Sequence, residues 1–114
     1  MKTLNDWVKK YEAKAEKLDI LPGFSLDYVP GKGFMCWKVI GRVFEIGHTC
    51  TNDVKFFENR AIEAAKEMGC VKIRTQTFRD PVAYRRLTGA IIRWDLSGVR
   101  PNGKMYWVFD KEVR

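Results

Sequence analysis

The spacing of hydrophobic residues changes several times along the chain, and each change marks an element. Leu4, Trp7, Val8, Tyr11, Ala15 and Leu18 recur at helical spacing, with lysines and glutamates between them. That pattern predicts an amphipathic helix over 4–18, with Asn5 or Asp6 able to cap it. Leu21-Pro22-Gly23 breaks the pattern. Residues 24–29 read as a short strand and Pro30-Gly31-Lys32-Gly33 as a turn. Two runs rich in aromatic and β-branched residues follow, 34–40 and 42–50, with Gly41 at a tight hairpin turn between them. Val54, Phe57, Ala61, Ala64, Ala65 and Met68 then line one face of a helix over about 53–68. Asn52 or Asp53 caps it and Gly69 ends it.

Residues 70–75 form the next strand, with Val71 and Ile73 alternating against polar neighbours. Asp80-Pro81 opens a short helix that runs to Thr88. An aspartate side chain satisfies a free N–H there, and proline's missing N–H costs nothing at the first position. Gly89 can adopt the left-handed conformation that stops a helix. A strand over 90–96, a loop over 97–103 and an aromatic strand over 105–109 close the chain as a hairpin. Together these elements predict one α/β domain over 1–114, a mixed, mostly antiparallel sheet flanked by helices. A right-handed crossover is expected if the strands flanking the 54–68 helix are parallel.

Composition narrows the classes. A chain of 114 residues with 46% apolar and 31% charged residues can bury one modest core. No apolar run approaches the roughly 20 residues of a membrane-spanning helix, so no membrane association is expected. The first residues carry no signal-like apolar stretch, which implies a cytoplasmic location. Cys36, Cys50 and Cys70 are widely spaced, and His48 is the single histidine. This argues against a metal site and for three buried free thiols. Net charge is +7, which favours anionic partners such as nucleic acid, nucleotide phosphates or an acidic protein surface. The charge is spread, however, over Lys9, Lys10, Lys14 and Lys17 on the first helix and over arginines 74, 79, 85, 86 and 93. That distribution reads as solvated faces.

The order of elements over 42–109, with Asp80, Ala83, Tyr84, Leu87 and Gly89 on the short helix, resembles the second half of a GNAT-type N-acetyltransferase. The resemblance implies an acetyl-coenzyme A site between the strand 42–50 and the two helices after it, and an amine-bearing substrate. Tyr84 matches the family tyrosine that protonates the departing thiolate, a task suited to a phenol with pKa near 10. Glu45 and His48, on the strand that flanks the acceptor, are candidate bases. Three residues apart on a regular strand, they are expected on opposite faces. Thr51, Asn52, Lys55 and Asp80 are candidate coenzyme-binding residues, the first three as donors to its phosphates.

In the family, a glycine-rich turn lets backbone N–H groups approach the pyrophosphate. Here that turn reads Thr49-Cys50-Thr51-Asn52-Asp53-Val54-Lys55-Phe56, without glycine. The resemblance implies, as a first functional class, an acetyl-coenzyme A-dependent N-acetyltransferase, and the missing glycine turn speaks against it. A second is a degenerate, non-catalytic GNAT-fold binding or structural domain, for example a phage virion component with a protein partner, found in the virion if phage-encoded. A third, from charge alone, is a nucleic-acid-binding domain.

Overall fold

The computed structural model describes residues 2–113. The elements run α1 (Leu4–Lys14), β1 (Ser25–Val29), β2 (Gly33–Ile40), β3 (Val43–Thr51), α2 (Val54–Glu67), β4 (Lys72–Thr77), α3 (Pro81–Thr88), β5 (Ile91–Val99) and β6 (Met105–Glu112). One six-stranded sheet has the order β1-β2-β3-β4-β6-β5. Only β3 and β4 are parallel, with α2 crossing between them. The predicted mixed, mostly antiparallel sheet is thus the observed one.

Both faces are covered. Phe44 and Ile46 of β3 and Ile73 of β4 pack under Phe57, Ala61 and Ala65 of α2. The alanines allow close approach, and each fully buried large side chain contributes roughly 1.5–3 kcal/mol. Tyr84 of α3 lies on the same face, its ring 4.8 Å from that of Phe109. On the opposite face Trp7 and Tyr11 of α1 cover Phe34 and Cys36 of β2.

Several boundaries differ from the sequence reading. The first helix stops at Lys14, not residue 18, because the backbone leaves helical geometry at Ala15. The Leu18 N–H is then taken by the Glu12 carboxylate at 2.8 Å. Its cap is Thr3, in a reciprocal capping box with Asp6, and neither Asn5 nor Asp6 is the cap residue. Asp53 and Asp80 cap α2 and α3 as expected, and Gly89 ends α3 at φ 71°.

The last hairpin is longer than predicted, because β5 continues through Ser97 and Gly98. The Ser97 hydroxyl accepts from the Val108 N–H at 2.9 Å, standing in for a backbone acceptor where the register shifts. β6 continues to Glu112 despite its charges. Asp110 is held there by Arg74 at 2.8 Å and Arg93 at 2.9 Å.

Candidate functional site

The site begins with a break in the sheet. The pairing of β3 with β4 ends at Ile46 and Thr75, although β3 runs on to Thr51 and β4 to Thr77. Beyond that point the strands part, and a cavity of about 490 Å³ occupies the gap. Its walls come from both faces of the sheet. Tyr84, Thr75 and Phe57 line it on the α2–α3 side, and Lys10, Tyr11 and Lys14 line it from α1.

A β-bulge accompanies the break. Trp37 faces Ile46 and Met35 faces Thr49, so Gly47 and His48 together oppose Cys36. The extra residue bends the strand and reverses its alternation. Ile46 and Thr49 therefore share the α2 face, and Glu45 and His48 share the α1 face. This corrects the expectation that Glu45 and His48 point opposite ways, which holds only for a regular strand.

The fold has solved counterparts. A Bacillus subtilis acetyltransferase in complex with CoA matches with a TM-score of 0.60 at 14% identity, over 100% of this chain and 96% of that one. Ard1 from Thermoplasma volcanium matches at 0.59 and 11% identity, over 94% and 78%. An acetyltransferase from Bacillus cereus matches at 0.51 and 16% identity, over 96% and 88%. The fold is that of the GNAT acetyltransferases. No family model matches the chain, and no curated protein matches it in sequence.

Within this GNAT scaffold, Tyr84 is buried on the cavity wall. Burial pushes its phenol pKa upward, and the Thr75 hydroxyl pulls it back only in part. The phenol thus keeps its proton through neutral pH. Thr51 and Asn52 also line the cavity.

The other candidates lie elsewhere. Glu45 and His48 do not line the cavity. Both ring nitrogens of His48 are engaged: the Tyr11 hydroxyl lies 2.6 Å from Nδ1, and Nε2 donates to the Asp19 carbonyl at 3.0 Å. Since a carbonyl only accepts, Nε2 carries a proton, and the Glu16 carboxylate lies 3.5 Å from Nδ1 beside the Tyr11 hydroxyl. The Lys55 ammonium is on Glu58 at 3.0 Å, outside the cavity. Asp80 is an exposed helix cap that accepts from the Val82 N–H at 3.3 Å.

The GNAT fold implies an acyl-coenzyme A, and the residues fit its two ends unequally. The gap between β3 and β4, with Tyr84 beside it, has room for a thioester arm. The amide cradle at the start of α2 is closed by the protein's own side chains. The Asp53 N–H donates to the Thr51 hydroxyl at 2.8 Å, and the Phe56 N–H to the Asp53 carboxylate at 3.1 Å. The Asn52 N–H is taken by the Lys32 carbonyl at 3.3 Å. Lys32 reaches Asp53 at 3.0 Å and, with the Phe56 N–H, holds its carboxyl below the usual carboxylate range. A phosphate on this turn would meet a carboxylate where the family offers amides.

Sequence reading missed the cationic side of the cavity. The spread of charge along the sequence reads as solvated surface, yet Lys10 and Lys14 both line the cavity. Their i, i+4 spacing was the available signal. Cys50 also lines the cavity and is half-buried, unlike Cys36 and Cys70, which corrects the expectation of three buried thiols. Among the described residues, no cluster of three or more metal-ligating side chains occurs and no helix is long and apolar enough to cross a membrane.

Proposed function

We propose that this domain transfers an acetyl group from acetyl-coenzyme A to an amine, in the cavity between β3 and β4. The observation that carries the reading is the parting of these strands beyond Ile46 and Thr75, with protonated Tyr84 on the cavity wall. Acetyl-coenzyme A, when bound, supplies an activated acetyl thioester. The chain's own part is positional and protonic. The backbone of β3 beyond its pairing with β4 borders the gap and orients the acyl arm there. Tyr84 offers its hydroxyl proton to the leaving sulfur, and burial keeps that proton in place at neutral pH. Apolar walls from Phe57 and Phe109 exclude water from the transfer.

Neither Glu45 nor His48 reaches the cavity as a side chain, so deprotonation of the amine passes through water or occurs before binding. The test is calorimetric titration with acetyl-coenzyme A, followed by an amine screen with Tyr84→Phe alongside. The reading expects micromolar binding and at least a tenfold loss of kcat in Tyr84→Phe, with binding preserved. No binding at millimolar ligand refutes it. That outcome favours the second reading, a GNAT-fold binding domain without coenzyme, to which the carboxylate-filled turn at Asp53 already points.

A further inference from the structure

The α1 side of the cavity gathers positive charge that no ion pair among the described residues neutralises. Lys10 and Lys14 extend from one face of α1, and Arg79 comes from the turn between β4 and α3; all three line the cavity. They take part in none of the ion pairs among the described residues. Glu58, the carboxylate on the cavity wall, stands on the α2 side and is held by Lys55 and Lys111.

Cys50 lines the same cavity as Lys10, Lys14 and Arg79. Lys10, Arg79, Lys14 and Lys2 all act electrostatically on the Cys50 thiol, although burial outweighs them and raises its pKa. Burial and the neighbouring ammonium groups of Lys2 and Lys14 lower the pKa of Lys10, as expected of a cation short of a counter-charge. The Trp7 ring, 4.6 Å from the Lys2 ammonium and 5.2 Å from that of Lys10, holds both in place. Arg79 donates to the Thr51 carbonyl at 2.6 Å, which fixes its fork and leaves other N–H groups free.

We propose that the Lys10–Lys14–Arg79 mouth binds a phosphate carried by the acceptor, so that the acceptor class is a phosphorylated amine. Three cations on one cavity wall match a phosphate of nearly two negative charges better than a single carboxylate. Their place on the α1 face, across the sheet from Tyr84, makes this the entrance opposite the acyl arm. The acceptor assignment rests on the acetyl-transfer reading; the anion site does not.

Cys50 reports on the site without catalysis. The rate of its alkylation by iodoacetamide, a neutral reagent, is followed by peptide mass spectrometry at constant ionic strength. Phosphoethanolamine is expected to slow labelling about fivefold and ethanolamine not at all. The protection is expected to vanish in Lys10→Gln/Lys14→Gln, in which two positive charges on α1 are replaced by neutral polar side chains. Lack of protection by phosphoethanolamine, or protection that survives in the double variant, overturns the proposal. So does protection by adenosine 3′,5′-bisphosphate alone, which would give the mouth to the coenzyme. Acetyl-coenzyme A binding measured on the same proteins separates the two ideas. Binding without phosphoethanolamine protection leaves acetyl transfer standing and removes the phosphate site. Protection without coenzyme binding keeps the phosphate site and removes the acetyl-transfer reading.

Discussion

Asp110 offers the most direct check on the physics of the sheet. It lies on β6, opposite Arg74 of β4 and Ile91 of β5. Arg74 binds it through Nε at 2.8 Å and Nη2 at 3.0 Å, Arg93 through Nη1 at 2.9 Å, and the Lys72 ammonium lies 3.5 Å away. One carboxylate therefore ties three strands together, and Asp110→Asn leaves three cations facing one neutral amide. Removing one partner of a buried ion pair costs about 3–5 kcal/mol. Here the Asp110 side chain is 12% exposed and the arginines 28% and 34% exposed, so solvent screening lowers the expected cost to about 2 kcal/mol. For a chain of this length that is a fall in Tm of roughly 10 °C.

The pH dependence separates charge from packing. Burial alone would raise the Asp110 pKa, but the hydrogen bonds from Arg74 and Arg93 outweigh it and hold the carboxyl below its ordinary value. A carboxyl whose pKa is lower in the folded state contributes fully above its unfolded value of about 3.9. The contribution is lost as pH falls through the folded value. Urea unfolding of wild type and Asp110→Asn should therefore differ by about 2 kcal/mol at pH 7 and draw together as pH falls below the unfolded carboxyl value of about 3.9. Equal stabilities at pH 7, or a difference unchanged at low pH, would refute the argument.

Three further outcomes follow from β2 and from the start of α2. Gly33 has φ 126°, and a Cβ there would lie 2.0 Å from the Cys50 carbonyl oxygen, so Gly33→Ala should cost more than about 3 kcal/mol and yield mostly insoluble protein on expression. Asp53→Ala removes the α2 cap and should lower Tm by roughly 5 °C in a thermal melt. Asp53→Asn keeps the cap and should change Tm by less than about 2 °C, because the exposed pair with Lys32 contributes little.

The order of elements, the helix caps at Asp53 and Asp80 and the Gly89 stop were legible because they depend on local chemistry. Periodicity, N-capping and left-handed glycine each involve residues within a few positions of one another. The same locality put Tyr84 on a short helix of a GNAT-like hairpin of elements, and placed a glycine-free turn where a phosphate cradle would stand. The missed boundaries depend on distant partners. β6 reaches Glu112 because Arg74 and Arg93, on two other strands, satisfy Asp110. β5 passes through Ser97 because that hydroxyl meets Val108 across the hairpin.

The candidate site divides the same way. The resemblance to the GNAT family was enough to name Tyr84, Thr51 and Asn52, all of which line the cavity. The bulge at Gly47 and His48 could not be read, because it is a relation between two strands and it reverses the face of every residue after it. Nor could the cationic mouth. Lys10 and Lys14 are separated from Arg79 by more than sixty positions of sequence. They meet only because α1 packs across the gap where β3 and β4 part company. Sequence determined which elements form and where they start, through short-range hydrogen bonding and periodic burial. Tertiary structure alone decided which charges face one another, because that depends on how the sheet opens and what covers the opening.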